Sequence, residues 1–380
     1  MSATPALTPP ASNLLDLTAL APSGPEPTGD PLADAARTFA ERMARMLNEG
    51  ALALMVSIGH RTGLFDALAG AGPLPVEALA ARAGCDARYV REWLGAMTTG
   101  RVVEHDPRAG TYALPDAHAA SLTRAASPAN VAVSAQFLPV LGAVEDEVVA
   151  CFRAGGGVPY AAFTRFHEVM AEESAQTVLS ALLEAIVPLV PGLEARLEAG
   201  VDVLDVGCGR GRALLLLARR FPRSRFAGYD LSPEAIAWAR AEARRDGLHN
   251  VRFEVRDAAR GLEEGAYDLV TAFDAIHDQA DPAGVLAQVR RALRAGGAFL
   301  MQDIGAHAAH HDNLDHPIGT FLYTVSCLHC MTVSLAQGGA GLGAAWGVET
   351  AERMLEAAGF VVERVERLEH DAMNVYFVAS

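Results

Sequence analysis

The chain has 380 residues, 51% hydrophobic and 20% charged, a balance that fits a soluble globular protein long enough for two domains. Its formal net charge is −15 and every one of its 31 basic residues is arginine, so it lacks the basic footprint of a nucleic-acid-binding protein. The apolar runs read as broken short of the roughly 20 residues of a membrane span, and the first residues carry no basic-then-apolar leader, so a cytoplasmic location with no membrane partner is expected.

Residues 1–29 repeat Pro, Ser, Thr and Gly and read as a disordered tail. Residues 30–125 read as mainly helical. Within them "VEALAARAG" is a short amphipathic helix closed by Gly84, and "DARYVREWLGAMTTG" is a second helix starting at Asp86. "RVVEH" and "TYAL" then flank a "DPRAG" turn as a β-hairpin. Helix, turn, helix and two-stranded wing together resemble a winged-helix domain. Its ten Arg against eleven Asp or Glu give no concentrated basic face for phosphates, which favours dimerisation or substrate walling over DNA binding.

Residues 126–200 read as a helical connection ended by Pro188 and Pro191. From 201 onward strands and helices alternate. Strands are expected at 201–206, 225–229, 251–255, 268–273 and 297–303, with helices at 211–220, 233–246 and 282–294. A helix near 349–358 precedes two strands, 360–367 and 374–379, joined as an antiparallel hairpin. The fold class is therefore α/β, a doubly wound, mostly parallel Rossmann-like sheet over 201–380 behind the helical winged-helix domain.

"VDVLDVGCGRGRALLLL" is the most informative stretch. An apolar strand runs into Asp205 and then Gly207, Gly209 and Gly211, where glycines let the backbone turn tightly and approach a ligand. A dinucleotide fingerprint would need its third glycine at 212, which is Arg. The spacing resembles instead motif I of class I S-adenosylmethionine-dependent methyltransferases. That resemblance implies S-adenosylmethionine as cofactor, bound by Asp205 and the three glycines. It implies Asp230, with Leu231 beside it, at the ribose hydroxyls. Asp257 would meet the adenine amino group, Ala258 the ring, and the Phe273 carbonyl the methionine amine. "LRAGGAFLMQDI" matches the family's turn before its fifth strand.

With a winged helix in front, the chain resembles small-molecule O-methyltransferases and, more closely, bacterial methyltransferases of that layout with no settled substrate. This implies a homodimer through the winged helix, and Met170 and Ser174 of "FHEVMAEES" near acceptor and cofactor. The "IHD" at 276–278 matches the family's His-Asp pair, which implies His277 as general base. A phenol of pKa about 10 attacks poorly until deprotonated, and a histidine of pKa about 6.5 can take the proton. The other reading of His277 is a packing residue closing the turn before the helix that Asp281 caps and Pro282 starts. Asp278 and Asp303 are the candidates for orienting it.

The acceptor is expected to be a small, apolar or aromatic molecule methylated at a hydroxyl. Phe321, Tyr323, Met331 and Trp346 lie in an apolar, then glycine-rich, stretch that fits either a lid over it or a buried helix with a flexible turn. Tyr160 in "GGGVPYAAF" would form a second rim. No metal is expected. The "CLHC" at 327–330 has no second ligand pair, and "HAAHHDNLDH" (307–316) reads as a solvated loop. The five cysteines read as reduced thiols. A cofactor-responsive transcriptional regulator is the alternative, with the winged helix on DNA.

Overall fold

The computed structural model describes residues 29–380, so the tail expected at 1–29 lies, apart from Gly29, outside the described residues. The chain divides into two compact units after His118, inside the helix Asp116–Leu122 and a few residues short of the expected boundary at 125.

The first unit begins with α1 (Pro31–Thr62), with Pro31 in the first turn and the Asp30 side chain accepting from the Leu32 amide at 3.0 Å. Gly63 stops it in the left-handed region at φ 72°. Three further helices follow: α2 (Leu64–Leu68), and α3 (Val76–Ala83) and α4 (Ala87–Thr99) where the sequence pattern places them. Gly84 ends α3, and the Asp86 carboxylate caps α4 through the Arg88 and Tyr89 amides. The wing is β1 (Glu104–Asp106) paired antiparallel with β2 (Thr111–Ala113), and Leu74 bridges to Tyr112 as a third, one-residue strand. Trp93 anchors the unit: its ring meets Phe65 edge-on at 5.2 Å and its Nε1 donates to the Met55 carbonyl at 2.9 Å.

The second unit is built on a seven-stranded sheet. In chain order its strands are β3 (Asp202–Val206), β4 (Arg225–Asp230), β5 (Val251–Val255), β6 (Tyr267–Phe273), β7 (Leu293–Ile304), β8 (Val362–Glu366) and β9 (Asn374–Ala379). The spatial order is β5-β4-β3-β6-β7-β9-β8, parallel except for β9. β8 and β9 form the expected antiparallel pair, and the sheet adds that β9 inserts between β7 and β8. The inner strands β3, β4, β6, β7 and β9 are mostly buried, whereas the edge strands β5 and β8 carry exposed charged residues. One layer packs helices such as Arg212–Arg220 and Pro233–Arg245, and the other packs Pro282–Ala292 and Val348–Ala357. The order reverses between β3 and β6, which places a crevice at their carboxyl ends.

The connection at 126–200 is a chain of short helices rather than two long ones, and it includes π-helical turns at Ala175–Leu179 and Leu182–Ile186. The stretch 319–336 corrects the reading of broken apolar runs. It is one uncharged helix, π-wound at Ser326–Cys330, long and apolar enough in composition to cross a membrane. Its Phe321, Val325, Leu328 and Val333 pack on Phe137, Phe166 and Val169, the pattern of a core helix.

Gly59 tests the packing of the first unit. An added Cβ would stand 2.6 Å from the Trp93 ring and 2.7 Å from that of Phe65. Gly59→Ala is expected to destabilise the chain by roughly 1–3 kcal/mol in urea unfolding, whereas the same change at Gly95, where the added atom meets nothing within 4 Å, should not destabilise it.

Candidate active site

β3 leaves the sheet through Gly207, Gly209 and Gly211, all left-handed at φ 69°, 52° and 65°. A Cβ on Gly207 would strike Ala275, and one on Gly211 would strike the Phe253 ring. At Gly209 nothing lies within 4 Å, so there the backbone borders open space. The Asp230 carboxylate, at the end of β4, fastens the turn by accepting from the Gly209 amide at 2.8 Å and from the Ser232 amide at 2.8 Å.

This turn forms one end of a cavity of about 730 Å³ at the carboxyl edge of the sheet. Asp205, Gly207, Gly209, Gly211, Asp230, Leu231, Ala258 and Phe273, the residues the resemblance implies for the cofactor, border this cavity. Ser174, Met170 and Tyr160 stand on the wall supplied by the connection. Asp257 is not in the lining: it accepts from the Ala259 amide at 3.0 Å and pairs with Arg260 at 3.1 Å. The fit to the expected cofactor is favourable in two respects. The open cradle at Gly209 admits a close approach, and Asp205, Asp230, Asp274 and Asp278 give the cavity an acidic lining suited to a sulfonium and an amine.

Phe321, Tyr323, Met331 and Trp346 are corrections, because none of them lines this cavity. Phe321 packs edge-on against Phe137 at 5.8 Å. The Tyr323 hydroxyl accepts from Asn313 Nδ2 at 3.0 Å, away from the cavity. Met331 lies half-buried on the helix 319–336, outside the lining. Buried Trp346 donates from Nε1 to Asp303 Oδ1 at 3.0 Å. That helix contributes Val333 and Ala336 to the lining, with Gln337 just beyond it. The aromatic wall comes instead from Tyr160, Phe163, Phe166 and His167, and of these only Tyr160 was singled out in the sequence. The density of rings in "PYAAFTRFH" was the available signal for the rest.

His277 sits in the turn after β6, and Asp303 at the end of β7 is its orienting acid, 2.8 Å from Nδ1. Asp303 Oδ1 also accepts from the Ile304 amide, while its Oδ2 is buried without a partner among the described residues. Asp274, left-handed at φ 55°, lies 3.8 Å from the same ring nitrogen. His277 is 3% exposed and is absent from the cavity lining, with the buried Cys330 thiol as its other polar neighbour. Burial works to lower its pKa, but the Asp303 charge and hydrogen bond outweigh this and hold the imidazole protonated well above its ordinary range. Asp278, the other candidate, faces the cavity, and burial pushes its carboxyl up to about 6.

Among the described residues, Asp274, His277 and Asp303 are the one group of three or more whose ligand atoms lie close enough, within 4.8 Å, to hold a metal. His277 Nδ1 is already engaged by Asp303 there. The "CLHC" side chains diverge: Cys330 faces His277, and His329 stacks on Phe166 with ring centroids 3.4 Å apart. In the 307–316 stretch His307 pairs with Glu349 at 2.6 Å.

Asp205 allows a test of this electrostatic reading. Burial pushes its carboxyl up to about 7, while the hydrogen bond from Thr271 Oγ1 at 2.7 Å works in the opposite direction. The folded chain therefore holds a proton there that the unfolded chain gives up. The resulting stability is complete below about pH 4 and lost as the pH rises through about 7. Relative to Asp205→Asn, the wild type should lose stability between pH 4 and 7 in denaturant titrations; parallel curves would contradict the assignment.

Comparison with known proteins agrees with this geometry. Residues 50–124 match a family described as a Rv2258c-like winged HTH domain, and residues 197–359 match one described as a methyltransferase domain. A trans-aconitate 2-methyltransferase of Acidovorax sp. (strain JS42) is 35% identical over 115 residues, 30% of this chain and 40% of that protein. Polyketide synthase ThaQ of Burkholderia thailandensis is 35% identical over 107 residues, 28% of this chain and 5% of that protein. The chain thus spans less than half the length of these curated relatives. The mitomycin 7-O-methyltransferase structure superimposes with a TM-score of 0.65 at 21% identity, covering 91% of this chain and 99% of that one. Human N-acetylserotonin methyltransferase in complex with S-adenosylmethionine gives 0.63 at 18%, covering 93% and 99%. At such identities the likeness is one of fold.

Proposed function

We propose that this chain, which carries a methyltransferase domain behind a winged helix-turn-helix domain, transfers a methyl group from S-adenosylmethionine to a hydroxyl of a small apolar or aromatic acceptor. The observation that carries the reading is the single cavity in which the glycine turn and Asp230 face the wall of Tyr160, Phe163, Phe166 and Met170. The cofactor, when bound, supplies an activated methyl group for in-line displacement. Asp230 would hold the ribose hydroxyls, since a carboxylate has acceptor sites left after its two amide bonds. Leu231 and Ala258 would give the adenine an apolar face, and Ser174 also borders the cavity. The aromatic wall holds the acceptor in place and keeps water out.

His277 meets the requirements of a general base in part. The orienting acid is present, Asp303, itself fixed by Trp346. An opening to the cavity is not, and the raised pKa keeps the ring charged at neutral pH. Isotope-labelled methyl cofactor, incubated with the full chain and a fractionated cell extract, tests the reading: label is expected in the small-molecule fraction. With an acceptor in hand, His277→Ala should reduce transfer by roughly 10²–10⁴-fold if the ring removes the proton. In that case the wild-type rate should climb as the pH rises into the alkaline range. A loss below about tenfold would reassign His277 to packing.

The partner of the first unit is proposed to be a second copy of the chain. α1 exposes Leu32, Phe39, Met46, Leu47, Leu54 and Ile58, a stripe at helical spacing. The arginines of α4 are unsuited to phosphate: Arg88 pairs with Glu92, and Arg91 pairs with Glu77 at 3.4 Å. Light scattering should return a dimer mass, and Met46→Arg with Leu47→Arg should shift it toward the monomer. A monomeric wild type would refute the proposal.

A further inference from the structure

We infer that the acceptor end of the cavity selects a neutral or positively charged aromatic molecule and rejects carboxylates, with Asp278 as the residue that sets this preference. The inference rests on the methyl-transfer reading and adds the chemical class of the acceptor to it.

Most of the positive charges at the cavity are already committed. Four arginines border it. Arg165 donates to Glu168 at 2.8 Å and to Gln136 at 3.0 Å. Arg210 donates to Glu234 at 2.8 Å, and Arg256 to Glu263 at 2.6 Å. Arg212 donates to the Ala171 carbonyl, and burial lowers its pKa. His167, the remaining basic group on the aromatic wall, is pushed toward the neutral form by burial. Three of the four arginines are therefore paired with carboxylates, Arg212 is turned to a carbonyl and His167 is discharged, while Arg210 keeps a buried Nε without a hydrogen bond among the described residues.

The acids are not matched in the same way. Asp278 borders the cavity, and the burial that raises its carboxyl is only partly offset by the neighbouring His277 charge and its own backbone amide. Asp274 also borders the cavity, and its buried Oδ1 makes no hydrogen bond among the described residues, the His277 ring nitrogen at 3.8 Å being its charged neighbour. A carboxylate-bearing acceptor would set a second negative charge beside Asp278, in a desolvated site where Arg165, Arg210 and Arg256 already serve other carboxylates. An ammonium, or a neutral N–H or O–H donor, would instead satisfy an acid that lacks a partner.

The wall completes the selection. Tyr160 stacks on His167 with centroids 4.8 Å apart at 20°, and its edge meets Phe166 at 5.8 Å. Burial raises the pKa of the Tyr160 hydroxyl, and the charges of Asp278 and Asp230 both act on it to raise it further. Electron-rich ring faces beside a carboxylate favour a planar, electron-poor or cationic guest. Nothing on this wall offers the paired guanidinium that a carboxylate would need.

Three probes that share a phenol ring and a two-carbon arm isolate the charge: tyramine, tyrosol and 3-(4-hydroxyphenyl)propionate. Their binding to the full chain is read by calorimetry, with and without S-adenosylhomocysteine. Tyramine should bind at least about tenfold more tightly than the propionate, with tyrosol between them, and trans-aconitate should not compete. Asp278→Asn keeps the shape and removes the charge, and should shrink the tyramine-to-propionate ratio to below about threefold. Equal or tighter binding of the propionate would overturn the inference. So would a ratio unmoved by Asp278→Asn in a variant that unfolds like the wild type, or failure of all three probes to bind. Titration with S-adenosylhomocysteine alone reports separately on the methyltransferase reading. If that ligand fails while the charge order holds, the reading falls and the cavity's preference stands.

Discussion

Three left-handed glycines at the exit of β3 are the constraint on which the second unit depends. A strand that must end, turn through the left-handed region and enter a helix within a few residues has no room for side chains. Gly207 yields its space to Ala275 of the turn after β6, and Gly211 yields its space to Phe253 of β5. The turn is thereby pressed against strands on both sides of β3. Gly209 is left bordering open space, held by the Asp230 carboxylate. Because the strand order reverses at β3, the helices diverge there, and the turn faces a cavity rather than packed side chains.

The chemistry around that cavity is a matter of buried charge. Asp205, Asp274 and Asp278 all have carboxyls raised by burial, while His277 is held protonated by Asp303. All four shifts are upward, and such a concentration of perturbed ionisable groups marks this cavity as the candidate site. The helix 319–336 closes over His277 through Cys330 and leaves Asp278 facing the cavity. The adjacent residues His277 and Asp278 thus do different work, one braced by the end of β7 and the other available to a ligand.

Much of the second unit was legible in the chain. Strand and helix alternation after residue 201 is a local signal, and each expected strand is present within a few residues. The caps were legible for the same reason: Asp86, Asp281 and Gly84 act through bonds to residues next to them. The acceptor side was much less legible. Trp346 and Phe321 are apolar rings in an apolar stretch, and sequence cannot tell a lining ring from a packed one. Trp346 serves Asp303 across 43 positions of chain, and Phe321 serves Phe137. The insertion of β9 between β7 and β8 was equally hidden, because an antiparallel pair can meet a sheet by either strand.

What the sequence by itself determined is what depends on neighbours along the chain: the glycine spacing, the acids that end β3 and β4, the strand and helix periods, and the helix-turn-helix with its wing. What only the tertiary structure decided is which side chains meet. It placed Asp303 rather than Asp278 against His277, turned Asp257 out of the cavity lining, and made the aromatic wall from residues 160–167 instead of 321–346. The physical reason is that backbone conformation and capping are fixed by interactions a few residues apart. Burial, ionisation and the shape of a cavity are set by groups that distant parts of the chain bring into contact.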